Sequence, residues 1–330
     1  MVPTRLERPW LLAGILGVMA LCVPAVAHPD DQPHTFGAIP LSTEEYQRYL
    51  KITPSWEMRS LEAALPPAYN AAALGFVTPS KDQSQGGACS ACWAFASVGA
   101  LESKLLMSGF RPLGAPLDLS EQQQVSCNTR ELGCRGGYIV APLFWGPPPN
   151  PDSGPLPEEV FPYAASDVPC RNPSGEQLNY RVVDFYTVPL DINEFKASVY
   201  RDGPGLVSFT IMEDFMTFWE SAPPDSVYSY QSGFIEGLHM VVLIGWDDAK
   251  QAFLFKNSFG EKTGPNGDGT FWGSYADVET IYYEMANFRI AAAGPAPQTP
   301  RPVPTTSYQS LALAAGALSL IGLRALRRRV

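Results

Sequence analysis

The stretch Gln85-Gly86-Gly87-Ala88-Cys89-Ser90-Ala91-Cys92-Trp93-Ala94-Phe95 carries two cysteines on a glycine-rich turn. The second cysteine opens an apolar run. Ala94, Phe95, Val98, Leu101, Leu105 and Leu106 recur at roughly helical spacing, which predicts a helix starting at Cys92. At a helix N-terminus the unpaired backbone N–H groups and the dipole favour a thiolate over a thiol. A thiolate is the attacking form of cysteine, provided that a histidine can be brought beside it. The chain has three histidines. His28 and His34 sit in a polar stretch and read as solvated, whereas His239 lies in the apolar run Gly237-Leu238-His239-Met240-Val241-Val242. Local pattern alone leaves two other readings open: a redox Cys-x-x-Cys at Cys89 and Cys92, and a structural cysteine pair at a buried helix start.

The elements that must hold these residues fall into two kinds. Ser120 followed by Gln123 three residues later is a capping box and predicts a second helix. Residues 107–117 form a Gly/Pro loop, and the proline-rich run 146–157 can be neither helix nor central strand. From about residue 180 the pattern changes. Tyr180 to Val188 and Leu206 to Ile211 read as strands, with a short helix near Asn193 to Arg201 between them. Phe234, Met240 to Ile244 and Phe253 to Lys256 read as further strands, so His239 belongs to a β-rich second half.

A chain of 330 residues with 45% hydrophobic content can bury one large domain or two smaller ones. Its 32 prolines point to many loops and at least one linker. The net charge of −10 is uneven: Arg301, Arg324, Arg327, Arg328 and Arg329 lie at the C-terminal end with no acid among them, so the body is strongly acidic. Nucleic-acid binding needs a basic footprint, and this body lacks one.

The Cys92 segment resembles the active-site segment of the papain family of cysteine proteases, Gln-Gly-x-Cys-Gly-Ser-Cys-Trp-Ala-Phe. Cys89, Cys92, Trp93, Ala94 and Phe95 match; Ser90 and Ala91 replace Gly-Ser, and one residue is inserted between Gln85 and Cys89. A second similar run is Leu119-Ser120-Glu121-Gln122 through Cys127 to Gly133-Cys134-Arg135-Gly136-Gly137-Tyr138. A third is His239, then Gly245-Trp246, then Lys256-Asn257-Ser258-Phe259-Gly260, in the family's order of Cys, His and Asn. The resemblance covers about residues 65–290.

It implies an α+β, papain-like two-subdomain fold, a helical half plus a β-barrel-like half with the active-site cleft between. It implies hydrolysis of a peptide or protein substrate through a Cys92 thioacyl-enzyme, with no metal and no cofactor. His239 would take the Cys92 proton and later protonate the leaving amine, and Asn257 would orient the ring. Two side chains compete to donate to the oxyanion beside the Cys92 N–H: Gln85, which fits the Gln-Gly step and is preferred, and Gln83, which fits the Val-Thr-Pro-x-Lys-x-Gln lead-in. Gly136 and Gly137 would pair with substrate main chain. Tyr138, Ile139 and Met240 would line an apolar pocket for the second residue before the scissile bond. Phe259 stands where the family has Trp, keeping an apolar cover over the Asn–His pair without the indole N–H. The family pairing joins Cys89 to Cys134 and Cys127 to Cys170, which leaves Cys92 as the free thiol of the five cysteines that remain once the signal segment, with Cys22, is removed. Two alternatives remain on these residues: a silent papain-like surface binding protein, and a transpeptidase using the same thioester.

The ends read separately. Residues 1–27 have the layout of a secretory signal, with Arg5 and Arg8, an apolar core and Ala25-Val26-Ala27 before the cut. Residues 28–62 are a short pro-region or linker, with a helical pattern around Glu44 to Lys51, and 63–291 are the peptidase domain. Residues 292–309 are a Pro-rich spacer, and 310–330 an apolar segment with a basic end, a short membrane anchor. This tail resembles the C-terminal sorting tails of Gram-negative bacteria handled by exosortase-type membrane enzymes. It implies export to the periplasm or cell surface, with a membrane tether and a sorting enzyme as partners.

Overall fold

The computed structural model describes residues 35–42, 44, 65–146, 154–173 and 175–292. The expected signal, nearly all of the spacer and the C-terminal segment lie outside the described residues. So do most of residues 28–62 and the centre of the proline-rich loop.

Helix α1 (Cys92–Met107) is buried from Cys92 to Leu106. Apolar residues occupy most of its sides, and its buried polar ones find partners inside, so the helix belongs within the molecule. Its serines are accommodated by back-bonding: Ser97 Oγ donates to the Trp93 carbonyl and Ser103 Oγ to that of Gly99. Helix α2 (Glu121–Cys127) is capped by Ser120, whose Oγ accepts from Gln123 N at 3.0 Å. Only this half of the expected capping box forms. The Gln123 side chain turns away to donate to Gly154 O and Asn172 Oδ1 and to accept from Trp145 and Leu156. Four tertiary partners outweigh one local bond. Disulfides Cys89–Cys134 and Cys127–Cys170 tie these segments together, and Cys92 is a free, buried thiol.

The strands of both halves form one sheet. Among the described residues its strands are β1 (Ala68–Asn70), β2 (Tyr180–Val188), β3 (Gly205–Met212), β4 (Val227–Tyr228), β5 (Ile235–Asp247), β6 (Ala252–Lys256), β7 (Thr270–Ser274) and β8 (Tyr282–Ala292). The order is β2-β8-β3-β5-β6-β7-β4, with β1 on β5, and only β4–β7 pair in parallel. Helix α3 (Ile192–Asp202) follows β2; its cap Asp191 accepts from the N–H groups of Asn193 and Glu194. Helix α4 (Glu213–Ser221) follows β3 directly. Neither α4 nor β8 was expected from the sequence.

Alternation along β5 sorts the core. Met240, Val242 and Ile244 join the apolar cluster that contains α1, while Val241 and Leu243 join Phe209, Phe253, Phe255 and Phe271 on the other face. Helix α1 lies across β5, β3 and β8. Polar ties reinforce that contact. Lys104 Nζ of α1 donates to Asp202 O, Pro204 O and Asn287 Oδ1, which satisfies all three of its protons. Lys256 Nζ on β6 donates to Thr78, and Thr78 donates to Glu102 of α1. Lys81 sits beside Glu102, Asp118 and Glu121. Burial works against its charge, but Glu121 and Glu102 outweigh that and hold its pKa above the usual lysine value.

Candidate active site

Cys92 is the first residue of α1 and has no exposed surface. Backbone N–H groups of Met240, Gly37, Trp93 and Ala38 lie against its sulfur, that of Gly37 at 3.3 Å. The Met240 contact sets the helix start against β5 one residue from His239. His239 is fully buried, and its Nε2 meets Asn257 Oδ1 at 2.7 Å. Asn257 is pinned in turn: Oδ1 accepts from Ser258 N at 2.8 Å, and its own N–H donates to Gly269 O. Cys92, His239 and Asn257 thus come together from α1, β5 and the end of β6.

Phe259 lies over His239, ring centroids 4.8 Å apart, and the edge of Trp219 packs on Phe259. The apolar cover is therefore two aromatic layers deep, with the indole supplied from α4. Burial pushes the Cys92 thiol up to about 11, against the surrounding N–H groups that favour the thiolate.

The two glutamines are placed differently. Gln85 is exposed, in the turn closed by its N–H to Asp82 O. Gln83 is fully buried. Its N–H donates to Ser258 O, its Oε1 accepts from Ser258 Oγ at 2.7 Å, and its Nε2 is left to donate at 2.7 Å to Thr35 O in the cleft. The preference for Gln85 is corrected on placement: the inserted residue is absorbed by an exposed turn at 84–87, downstream of Gln83. The lead-in Val77-Thr78-Pro79-Ser80-Lys81-Asp82-Gln83 was the better signal, because residues 81–83 bond to the 258–260 stretch beside Asn257. Ser258, which orients Gln83, was not singled out from the sequence.

A short N-terminal strap, residues 35–39, fills the cleft. Gly137 N donates to Gly37 O at 2.8 Å and Ile39 N to Gly137 O at 2.9 Å, a parallel bridge centred on Ala38. Ala38 N donates to Leu238 O, and Thr35 Oγ1 to Cys89 O. Phe36 stands edge-on to His239 at 5.7 Å. Gly137 has to be glycine: a Cβ there would lie 2.4 Å from the Trp93 ring. Ile139 and Met240 are buried in the α1 cluster, and Tyr138 packs on it half-buried. Gly136 lies against the strap as well, with Ile39 beside it.

The family model for papain family cysteine proteases matches residues 65–275. The chain belongs to that family. Cathepsin K of Mus musculus is 29% identical over 236 residues, covering 68% of this chain; the match spans 64% of that relative's length. Among solved structures, a digestive procathepsin L2 proteinase of Tenebrio molitor larval midgut is similar at a TM-score of 0.62, with 24% identity and 78% of each chain covered. A cysteine protease of Carica candamarcensis, solved in complex with E-64, gives 0.53 at 22% identity, covering 68% of this chain and 99% of that one. These structures carry the papain-like fold. Family and disulfides together fit an exported protein in an oxidising compartment. Among the described residues no helix is long and apolar enough to cross a membrane.

Three desolvated carboxyls, Glu131 buried and Glu158 and Glu284 partly buried, give this papain-family domain a pH signature. Burial first raises Glu131 to about 8, although it accepts from Tyr138 N, and raises Glu158 and Glu284 to about 7. The folded state therefore holds protons that the unfolded chain releases above its ordinary carboxylate pKa of about 4.3. Stability is greatest below that point and falls as pH climbs towards 7–8. Each unit of difference is worth about 1.4 kcal/mol, and a kcal/mol moves the melting midpoint by about 2–4 °C at this size. Glu131 alone is then expected to lower the melting midpoint by about ten degrees between pH 5 and 8, and the partly exposed Glu158 and Glu284 to add to it. Glu131→Gln, which keeps an acceptor for Tyr138 N, should flatten that slope; an unchanged slope would exclude Glu131 as a source.

Proposed function

We propose that this chain is a cysteine peptidase made as a precursor whose own residues 35–39 strap the cleft shut. The observation that carries the reading is the convergence of Cys92, His239, Asn257 and Gln83 on the groove that the strap fills. With the strap gone, His239 takes the Cys92 proton and the thiolate attacks the carbonyl carbon of a bound peptide. The oxygen's new charge is met by the Cys92 N–H and the Gln83 amide. As the intermediate collapses, His239 protonates the departing amine and a thioester to Cys92 remains. His239 then deprotonates water, which attacks the thioester and releases the acid. Asn257 holds the imidazole in the tautomer and aim that both steps need. Gly136 and Gly137 offer the substrate the main-chain contacts that the strap now takes.

The same proposal covers the ends of the chain. Residues 1–27 act as an export signal, and the Pro-rich spacer and apolar, Arg-ended segment as a sorting and membrane-tethering tail of the exosortase type. Sequence composition and the two disulfides support this part. The test is to recover the protein after export, determine the masses of its ends, and measure hydrolysis of fluorogenic peptides with Cys92→Ala alongside. Strap-free protein should cleave and strap-bearing protein should not. A strap-free form as silent as Cys92→Ala across a broad library returns the binding-protein reading, and ligation to added amines the transpeptidase.

A further inference from the structure

Helix α4 buries two aromatic residues one turn apart, Phe215 and Trp219, and gives them different surroundings. The Phe215 ring meets Phe209, Tyr228 and Phe271 at centroid distances of 5.4, 5.0 and 5.3 Å, and so anchors the helix to the sheet. Trp219 also reaches the turn that follows Asn257. Its ring lies 5.4 Å from that of Phe259, edge to face at 87°. On the same turn, a Cβ at Gly264 would stand 2.6, 2.8 and 2.9 Å from three atoms of the indole's six-membered ring. The indole is therefore seated in a backbone notch that only glycine leaves open, and the φ of +74° there favours glycine too.

The turn has its own bonds to fix its shape. Thr263 Oγ1 bonds to Phe259 O and Gly260 O, Gly269 N donates to Thr263 O, and Asn257 N donates to Gly269 O. What the indole adds is cover. Phe259 is the ring nearest His239, with 4.8 Å between centroids, while Phe209 and Phe36 stand edge-on to the imidazole. Phe36 belongs to the strap and leaves with it, whereas Trp219 stays behind Phe259. The bond under this cover has a fixed sense. Asn257 Oδ1 already accepts from Ser258 N, so the same oxygen meets His239 as an acceptor and Nε2 carries the proton. Water reaching this bond would compete for both partners and weaken it.

We infer that Trp219 is a positioning residue for His239: acting through Phe259, it keeps water from the His239–Asn257 hydrogen bond and so holds the imidazole in its catalytic aim. The cover is built from two elements, and its larger ring comes from α4 rather than from the turn that bears Asn257. The effect on rate rests on the peptidase reading; the shielding does not.

The shield is read in the full chain as solvent exchange of the His239 Nε2 proton, by NMR with nitrogen-labelled histidine. With the strap seated the cleft face stays closed, so faster exchange reports the α4 side. Trp219→Leu should speed exchange about tenfold or more, and Trp219→Phe less. Phe259→Trp alone should not slow it, because Trp219 fills the space that a larger ring needs. In the Trp219→Leu background the same Phe259→Trp change should slow exchange again. A Trp219 that only packs would lower the melting midpoint and leave exchange in the folded molecules untouched. Unaltered exchange in Trp219→Leu overturns the inference, as does the lack of a protected His239 proton in the unsubstituted chain. Should Trp219→Leu not fold, Trp219→Phe and the double variant decide by the same readout. In strap-free enzyme, Trp219→Leu should lower kcat per titrated Cys92 by about ten- to a hundredfold with KM little changed, and the double variant should recover it. Silence of the unsubstituted strap-free enzyme is the failure of the peptidase reading instead, and the exchange rates still decide the shield.

Discussion

Full-length protein carrying Gly37→Ala is expected to react at Cys92 as the unsubstituted chain does not. A Cβ on Gly37 would sit 1.9 Å from Ser90 O and 2.5 Å from its carbonyl carbon. Those are backbone atoms beside a disulfide-tied turn, so no rotamer change relieves the clash. Gly37 is not among the residues with positive φ, so alanine suits the chain there and only space forbids it. The strap must leave, taking with it the Gly37 N–H and the apolar lid over the sulfur. A thiol of pKa about 11 is ionised in only about one molecule in 10⁴ at pH 7. A thiol paired with an uncovered His239 is largely thiolate. Alkylation of Cys92 by iodoacetamide at neutral pH should therefore accelerate by orders of magnitude in Gly37→Ala, with the melting curve of the domain retained. Equal rates in the two proteins would mean that the strap does not guard the sulfur.

The second large effect is at Gln83. Loss of one oxyanion donor typically costs about 10²–10³ in kcat. Gln83→Ala in strap-free enzyme should show that loss with KM little changed, because the donor is needed most when the oxygen gains charge. Gln85→Ala, in an exposed turn, should behave as unsubstituted enzyme. Ser258→Ala should fall between, since it releases the Gln83 Oε1 that fixes the amide. The reverse ranking, with Gln85→Ala crippled and Gln83→Ala intact, would sink the assignment.

Strong local patterns were legible in the sequence. The glycine turn and apolar spacing place a helix start at Cys92, where α1 begins. The strand read at Tyr180 to Val188 has the bounds of β2. The run around His239 reads as a strand because its residues are buried on both faces. What escaped depends on contacts between distant segments. Residue counting from Gln85 fails because an insertion in an exposed turn costs almost nothing. Helix α4 follows β3 with no breaker between, and its Phe215, Phe218 and Trp219 suit a strand as well as a helix. The strap has no periodicity to detect: Thr35 to Ile39 gains its structure from Gly137, Leu238 and Cys92.

The strap meets the Cys92 sulfur with the N–H of Gly37, a hydrogen-bond donor rather than an electrophilic carbon. A seated strap therefore gives its own Cys92 nothing to attack. In the precursor proposed above, maturation is left with two clocks: detachment, which each molecule undergoes alone, and cutting by a neighbour, whose pace grows with the number of molecules already matured. Dilute protein keeps only the first clock and switches on slowly. Crowded protein adds the second, so local concentration becomes the timer of its own switching on.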